Sequence, residues 1–276
     1  MVRMSTVWDR TTEFVADNLG AIFPFALVIA AIAAVQDIAG AASADASSAT
    51  ILAVSSIGFV LGLVALVARL AVIVLAVEGG RRGGDVLALV LGRLLAVIGI
   101  IVIVGLGFVL LMVPLLVMLV AGGIDLTQMQ HLDAAAVQAI PPAVQGGIAL
   151  YALAIAAGLL WLGARLAVIF PVLLFERLLE GSFARSFALT RGLALRIIGV
   201  LIMISVVSGV ATLAARTVFG SVLPLILGDG GVTGVASILT AIVAAVVMTL
   251  FTVIGDAFAG KLYVAARAAE ADSAAA

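Results

Sequence analysis

Residues 86–121 read VLALVLGRLLAVIGIIVIVGLGFVLLMVPLLVMLVA, an apolar run broken by one charge, Arg93. A run of this kind exceeds the roughly 20 residues that a helix needs to cross the hydrocarbon core of a bilayer. A helix is the expected form, because in hydrocarbon every backbone donor and acceptor has to be paired inside the segment. Barrel strands would alternate polar and apolar residues over short pieces. Working outward, runs of the same character lie near residues 19–38, 51–77, 144–175, 195–227 and 232–266, separated by polar or Gly/Pro-containing breaks. The expected fold is all-α: a polytopic membrane helix bundle of about six transmembrane helices, forming one integral membrane domain over residues 1–276.

Composition agrees with the runs. Hydrophobic residues make up 65% of the 276 and charged residues 11%, where a soluble domain typically carries about 25% charge. The net charge of -1 provides no basic field for nucleic acid. With no Cys, disulfides, thiolate chemistry and sulfur-ligated metals are excluded. A cleavable leader is the competing reading of the N-terminus, since Arg3 and Arg10 precede residues 19–35 and small Ala39, Gly40 and Ala41 follow. Acidic Asp9, Glu13 and Asp17 spoil the basic leader pattern, and the run is long enough to stay as a first span.

Charge placement predicts the threading. Of the 14 Lys and Arg residues, Arg216 alone lies near the helix ends that alternate away from the N-terminus. The others fall in or toward the N-terminal segment, the Glu78–Asp85 connection, the Phe175–Arg196 connection and the tail. The positive-inside rule puts these segments and both termini in the cytoplasm of a prokaryotic inner membrane. The opposite connections carry Asp37 and Asp45, then Asp125, His131 and Asp133, then Asp229.

Ala68-Arg69-Leu70-Ala71-Val72-Ile73 returns as Ala164-Arg165-Leu166-Ala167-Val168-Ile169 and, more loosely, as Gly260-Lys261-Leu262-Tyr263-Val264-Ala265. The three cations are equally spaced, and an acid follows each: Glu78, Glu176 and Glu270. This suggests three helix-hairpin units, roughly 5–80, 83–180 and 182–270, of the parallel repeat type that some transporters use. Each unit opens with an amphipathic stretch expected to lie at the interface as an elbow helix: Trp8–Gly20, Asp85–Ala96 and Ser182–Arg196.

Residues 165–171, Arg-Leu-Ala-Val-Ile-Phe-Pro, then Phe175-Glu176, then the elbow with Ser186, Leu189, Thr190 and Gly192 form a recognisable pattern. It resembles the glycerophosphoryl diester phosphodiesterase membrane-domain family, in which an apolar helix ends with Pro and then Glu and a Ser-x-x-Leu-Thr-x-Gly elbow follows. The close correspondence covers about 30 residues, and the six-helix layout extends it loosely. In that family hydrolysis belongs to a separate soluble barrel fused to some members. The resemblance therefore implies a lipid- or envelope-related membrane role and transfers no catalytic residue.

Ionisable groups within spans are functional candidates by default, which singles out Arg69, Arg165, Lys261 and Asp256. One reading gathers the three cations around a cytoplasm-facing cavity that neutralises phosphate. The bland one has long side chains snorkelling to the headgroups or pairing structurally. Arg185, Arg191 and Arg196 are further candidate contacts for anionic headgroups, because arginine makes bidentate bonds to phosphate and carboxylate alike. Glu78, Glu176 and Asp256 are the candidate structural or coupling acids, with Glu176 expected to pair with Arg185 across the elbow turn. His131 with Asp125 and Asp133 is a poor metal site, and no nucleophile–base pair is suggested. Gly58 with Gly62, and Ser205 with Gly209, offer small faces for close packing within the bundle.

The expected function is accordingly non-enzymatic, without cofactor or metal. Membrane lipids are the expected partners, with other membrane proteins as further ones and nucleic acid excluded. A small-molecule or lipid transporter is the alternative.

Overall fold

The computed structural model describes residues 2–43, 46–124, 141–176, 181–228 and 230–275, and all regular structure among them is helical. Asp45, Asp125, His131, Asp133 and Asp229 lie outside the described residues. In chain order the helices are α1 (Met4–Asp17), α2 (Leu19–Ala42), α3 (Ser48–Val77), α4 (Gly83–Leu91), α5 (Leu94–Ala121), α6 (Pro142–Leu166), α7 (Ile169–Phe175), α8 (Ser182–Leu189), α9 (Ala194–Leu227) and α10 (Val235–Ala275). Among the described residues, six segments are long and apolar enough to cross a membrane: α2, α3, α5, α6 continued by α7, α9 and α10. The chain is a multi-pass membrane helix bundle. Large apolar side chains along α5, such as Leu106 and Leu110, stand exposed. A soluble protein does not leave so long an apolar face open to water, whereas lipid covers it without cost.

α10 is the hub, packing on α9, α3, α2 and α1. Its close approach to α3 depends on Gly260, where an added Cβ would stand 2.8 Å from the Ala76 Cβ and 3.2 Å from the Ile73 carbonyl oxygen. α1 lies along this hub through Val7, Thr11 and Phe14, buried at successive turns of one face. Gln36 Nε2 on α2 donates to the Gly58 carbonyl oxygen on α3 at 2.9 Å, while an added Cβ would meet nothing within 4 Å at Gly58 and only Gln36 Nε2, at 3.9 Å, at Gly62. Ser205 and Gly209 instead point outward from α9.

Boundaries shift from the expected ones in two instructive places. The run from residue 86 is two helices, because α4 stops at Gly92 and α5 restarts after Arg93. A side chain at Gly92 would sit 3.2 Å from the Ala88 carbonyl oxygen, and Arg93 interrupts the apolar run at that point. The fourth span breaks between Leu166 and Ile169. Pro171 lies in the first turn of α7, where a missing N–H is harmless, while its ring would clash with the Ala167 carbonyl in a continuous helix.

A short helix thus precedes a pair of spans three times: α1 before α2 and α3, α4 before α5 and α6, and α8 before α9 and α10. The elbow helices end earlier than the sequence suggests, at Asp17, Leu91 and Leu189. Gly181 (φ 87°) and Gly192 (φ 75°) flank α8 in the left-handed region, a conformation that glycine adopts without the Cβ penalty.

Candidate functional site

The break in the fourth span frees backbone carbonyls, and α8 supplies donors for one of them. Ser186 Oγ donates to the Arg165 carbonyl oxygen at 2.7 Å, and Thr190 Oγ1, whose nearer acceptor is the Ser186 carbonyl oxygen at 2.8 Å, lies 3.3 Å from the same Arg165 oxygen. Both residues are fully buried. Arg165 Nη1 in turn donates to the Phe187 carbonyl oxygen at 3.1 Å, and its guanidinium lies over the Trp161 and Phe187 rings at 5.4 and 5.5 Å. Arg165 is thus taken up by docking the elbow helix. Such cation–π contacts gain strength where water is scarce.

At the other end of α8, Arg185 Nε donates to Glu176 Oε2 at 2.7 Å. Its two terminal nitrogens hold both carboxylate oxygens of Glu270 on α10, at 2.6 and 2.7 Å. Tyr263, 1% exposed, donates to Glu176 Oε1 at 3.1 Å and stacks on Phe175. These hydrogen bonds, to Glu270 first and Glu176 second, raise the Arg185 pKa above the ordinary guanidinium value. The group stays charged, and the network ties α7, α8 and α10 together. Glu270 was noted in the sequence only as the third repeat acid; its join to Arg185, 85 positions away, carries no local sequence signal.

The other span cations have separate surroundings. Arg69 makes a bidentate pair with Asp256, Nε to Oδ2 at 3.0 Å and Nη2 to Oδ1 at 2.9 Å. The Lys261 ammonium sits 4.5 Å from the centre of the Phe14 ring. Glu78 pairs with Arg81 at the end of α3. Arg69, Arg165 and Lys261 therefore share no partner, and none lines the clefts described below.

One cleft holds the remaining candidates. About 370 Å³ in volume, it opens between the α8–α9 turn and the C-terminal part of α10, with Arg191, Arg196, Leu193, Ala266 and Glu270 among its lining residues. Glu270 is hydrogen-bonded to Arg185, a guanidinium that Glu176 shares. Arg191 and Arg196 are exposed, and neither has an ion pair among the described residues. The cleft therefore offers two arginine forks beside apolar Leu193 and Ala266, an arrangement suited to a phosphate. A larger cleft of about 750 Å³ lies where the α3–α4 connection meets α7, but Glu78 and Asp85 stand there beside Arg81 and Arg93, which leaves its charge mixed. Among the described residues, no group of three or more His, Cys, Asp or Glu is placed to hold a metal. Comparison of the chain with known protein families, with curated proteins and with solved structures returned no match.

Proposed function

We propose that this chain is a non-enzymatic protein of a prokaryotic inner membrane that engages anionic lipid headgroups at its cytoplasmic face. The observation that carries this reading is the cleft beside the α8–α9 turn in which Arg191 and Arg196, among the described residues, make no ion pair. The cations other than Arg216 lie in or toward the connections of one side, and the positive-inside rule makes that side cytoplasmic. Basic groups there meet the negative surface potential of the inner leaflet, at about 1 kcal/mol for each Lys or Arg near the surface.

Membership of the glycerophosphoryl diester phosphodiesterase membrane-domain family belongs to the same proposal. Its support is that Ser186 and Thr190, two polar positions of the elbow pattern, serve the Pro171 break that precedes them. The motif residues then have structural work and leave Arg191 and Arg196 for the ligand. The test is retention of phosphatidylglycerol by the detergent-purified protein, read by native mass spectrometry. The R191Q/R196Q double variant should lose most of the adduct while keeping the thermal midpoint of the parent. Unchanged retention would refute the proposal.

A further inference from the structure

Arg216, set apart from the other cations in the sequence, has a site of its own. Arg216 on α9 donates from Nη2 to Asp37 Oδ1 on α2 at 2.9 Å, across 179 positions of sequence. The pair lines a cleft of about 290 Å³ between α2, α9 and α10, with Ser237 and Thr240 at its rim and Ile38, Pro224 and Val232 in its walls. Asp37 lies five residues from the end of α2, ~7.5 Å along the axis at 1.5 Å per residue, so the site falls within the layer opposite the basic end.

This pair differs from Arg69–Asp256. There two hydrogen bonds satisfy both oxygens of a carboxylate whose side chain is 8% exposed. Here, among the described residues, the guanidinium makes one hydrogen bond and Asp37 Oδ2 receives none, while the side chains are 49% and 33% exposed. Four guanidinium N–H donors and one carboxylate oxygen are thus left without a protein partner among the described residues, on two side chains that line the cleft. Among the described residues, the lining of the cleft carries one charge of each sign. A lone anion would meet Asp37 as a repelling neighbour, and a lone cation would meet Arg216. A ligand carrying both charges close together satisfies each fork without leaving one over.

We propose that this cleft binds the phosphate–ammonium headgroup of a zwitterionic lipid, phosphatidylethanolamine in type. Phosphate takes the free N–H groups of Arg216, the ammonium donates to Asp37 Oδ2, and the glycerol and acyl segments lie along the apolar wall. A quaternary ammonium has no N–H to donate, so phosphatidylcholine binds less well. This site is separate from the anionic-lipid cleft of the proposed function, and neither needs the other.

The experiment is native mass spectrometry of the full chain in detergent with equimolar phosphatidylethanolamine, phosphatidylcholine and phosphatidylglycerol. Phosphatidylethanolamine should be retained about tenfold over phosphatidylcholine, the scale of one charge-assisted hydrogen bond, and R216Q should abolish the preference. Because R216Q also breaks an ion pair, G220L is the second variant. Gly220 lines the cleft, its added Cβ would meet Thr240 at an ordinary 3.7 Å, and a leucine there extends into the cleft without replacing either charged residue. G220L with a parental thermal midpoint and a lost adduct supports the site, and R191Q/R196Q should leave that adduct unchanged. Equal retention of the three lipids, an unaltered adduct in G220L, or displacement by soluble phosphoethanolamine as effective as by the lipid would each overturn the assignment.

Discussion

Removing either member of the Arg69–Asp256 pair should destabilise the bundle, but by unequal amounts. The Asp256 side chain is 8% exposed and that of Arg69 is 47% exposed. Substituting R69Q strands a carboxylate in the packed interior between α3 and α10, and breaking a buried pair in this way costs about 3–5 kcal/mol. Substituting D256N strands the half-exposed partner, whose long stem lets the guanidinium swing toward headgroups and water, so the cost falls to about 1–2 kcal/mol. Replacing both, as R69Q/D256N, leaves two neutral amide side chains facing each other and no uncompensated charge. That double variant should be more stable than R69Q alone, with a coupling energy of about 2 kcal/mol or more, well beyond the few tenths expected of independent sites. The assay is reversible unfolding by titrated anionic detergent in mixed micelles, followed by the fluorescence of Trp8 and Trp161 and by helical circular dichroism. Equal losses for R69Q and D256N, or strict additivity in the double variant, would refute this account of the pair.

Other substitutions probe packing and threading. G260A should destabilise by about 1–3 kcal/mol through overpacking against Ala76 and the Ile73 carbonyl, despite alanine's better helix propensity, and A76G in the same chain should recover most of that loss on detergent unfolding. S186A and T190A should each cost about 1 kcal/mol, and the pair should raise backbone amide exchange around residues 165–169, where the helix break loses its donors. Since the chain has no cysteine, G79C and A268C provide clean topology probes. Both should react with a membrane-impermeant maleimide only after the cells are opened, and labelling of intact cells would reverse the proposed orientation.

The span pattern and the all-α class were legible in the sequence, because hydropathy is a local property summed along about 20 residues. The pairing of Glu176 with Arg185 was legible too, since a short elbow separates them. The break at Arg165 was half-legible: Pro171 disfavours a continuous helix, but nothing local says that Ser186 and Thr190 would serve the freed carbonyl.

Which charge meets which was a matter for the tertiary structure alone. Arg69 finds Asp256 across 187 positions and Arg216 finds Asp37 across 179, and no periodicity or motif records such contacts. The three equally spaced cations looked equivalent along the chain, yet one holds a carboxylate, one the backbone of α8 and one the face of a phenyl ring. Apolar length decides that a segment enters the bilayer. Helix packing around α10 decides the partners, because a charge in low dielectric takes whatever neighbour the folded bundle places within reach.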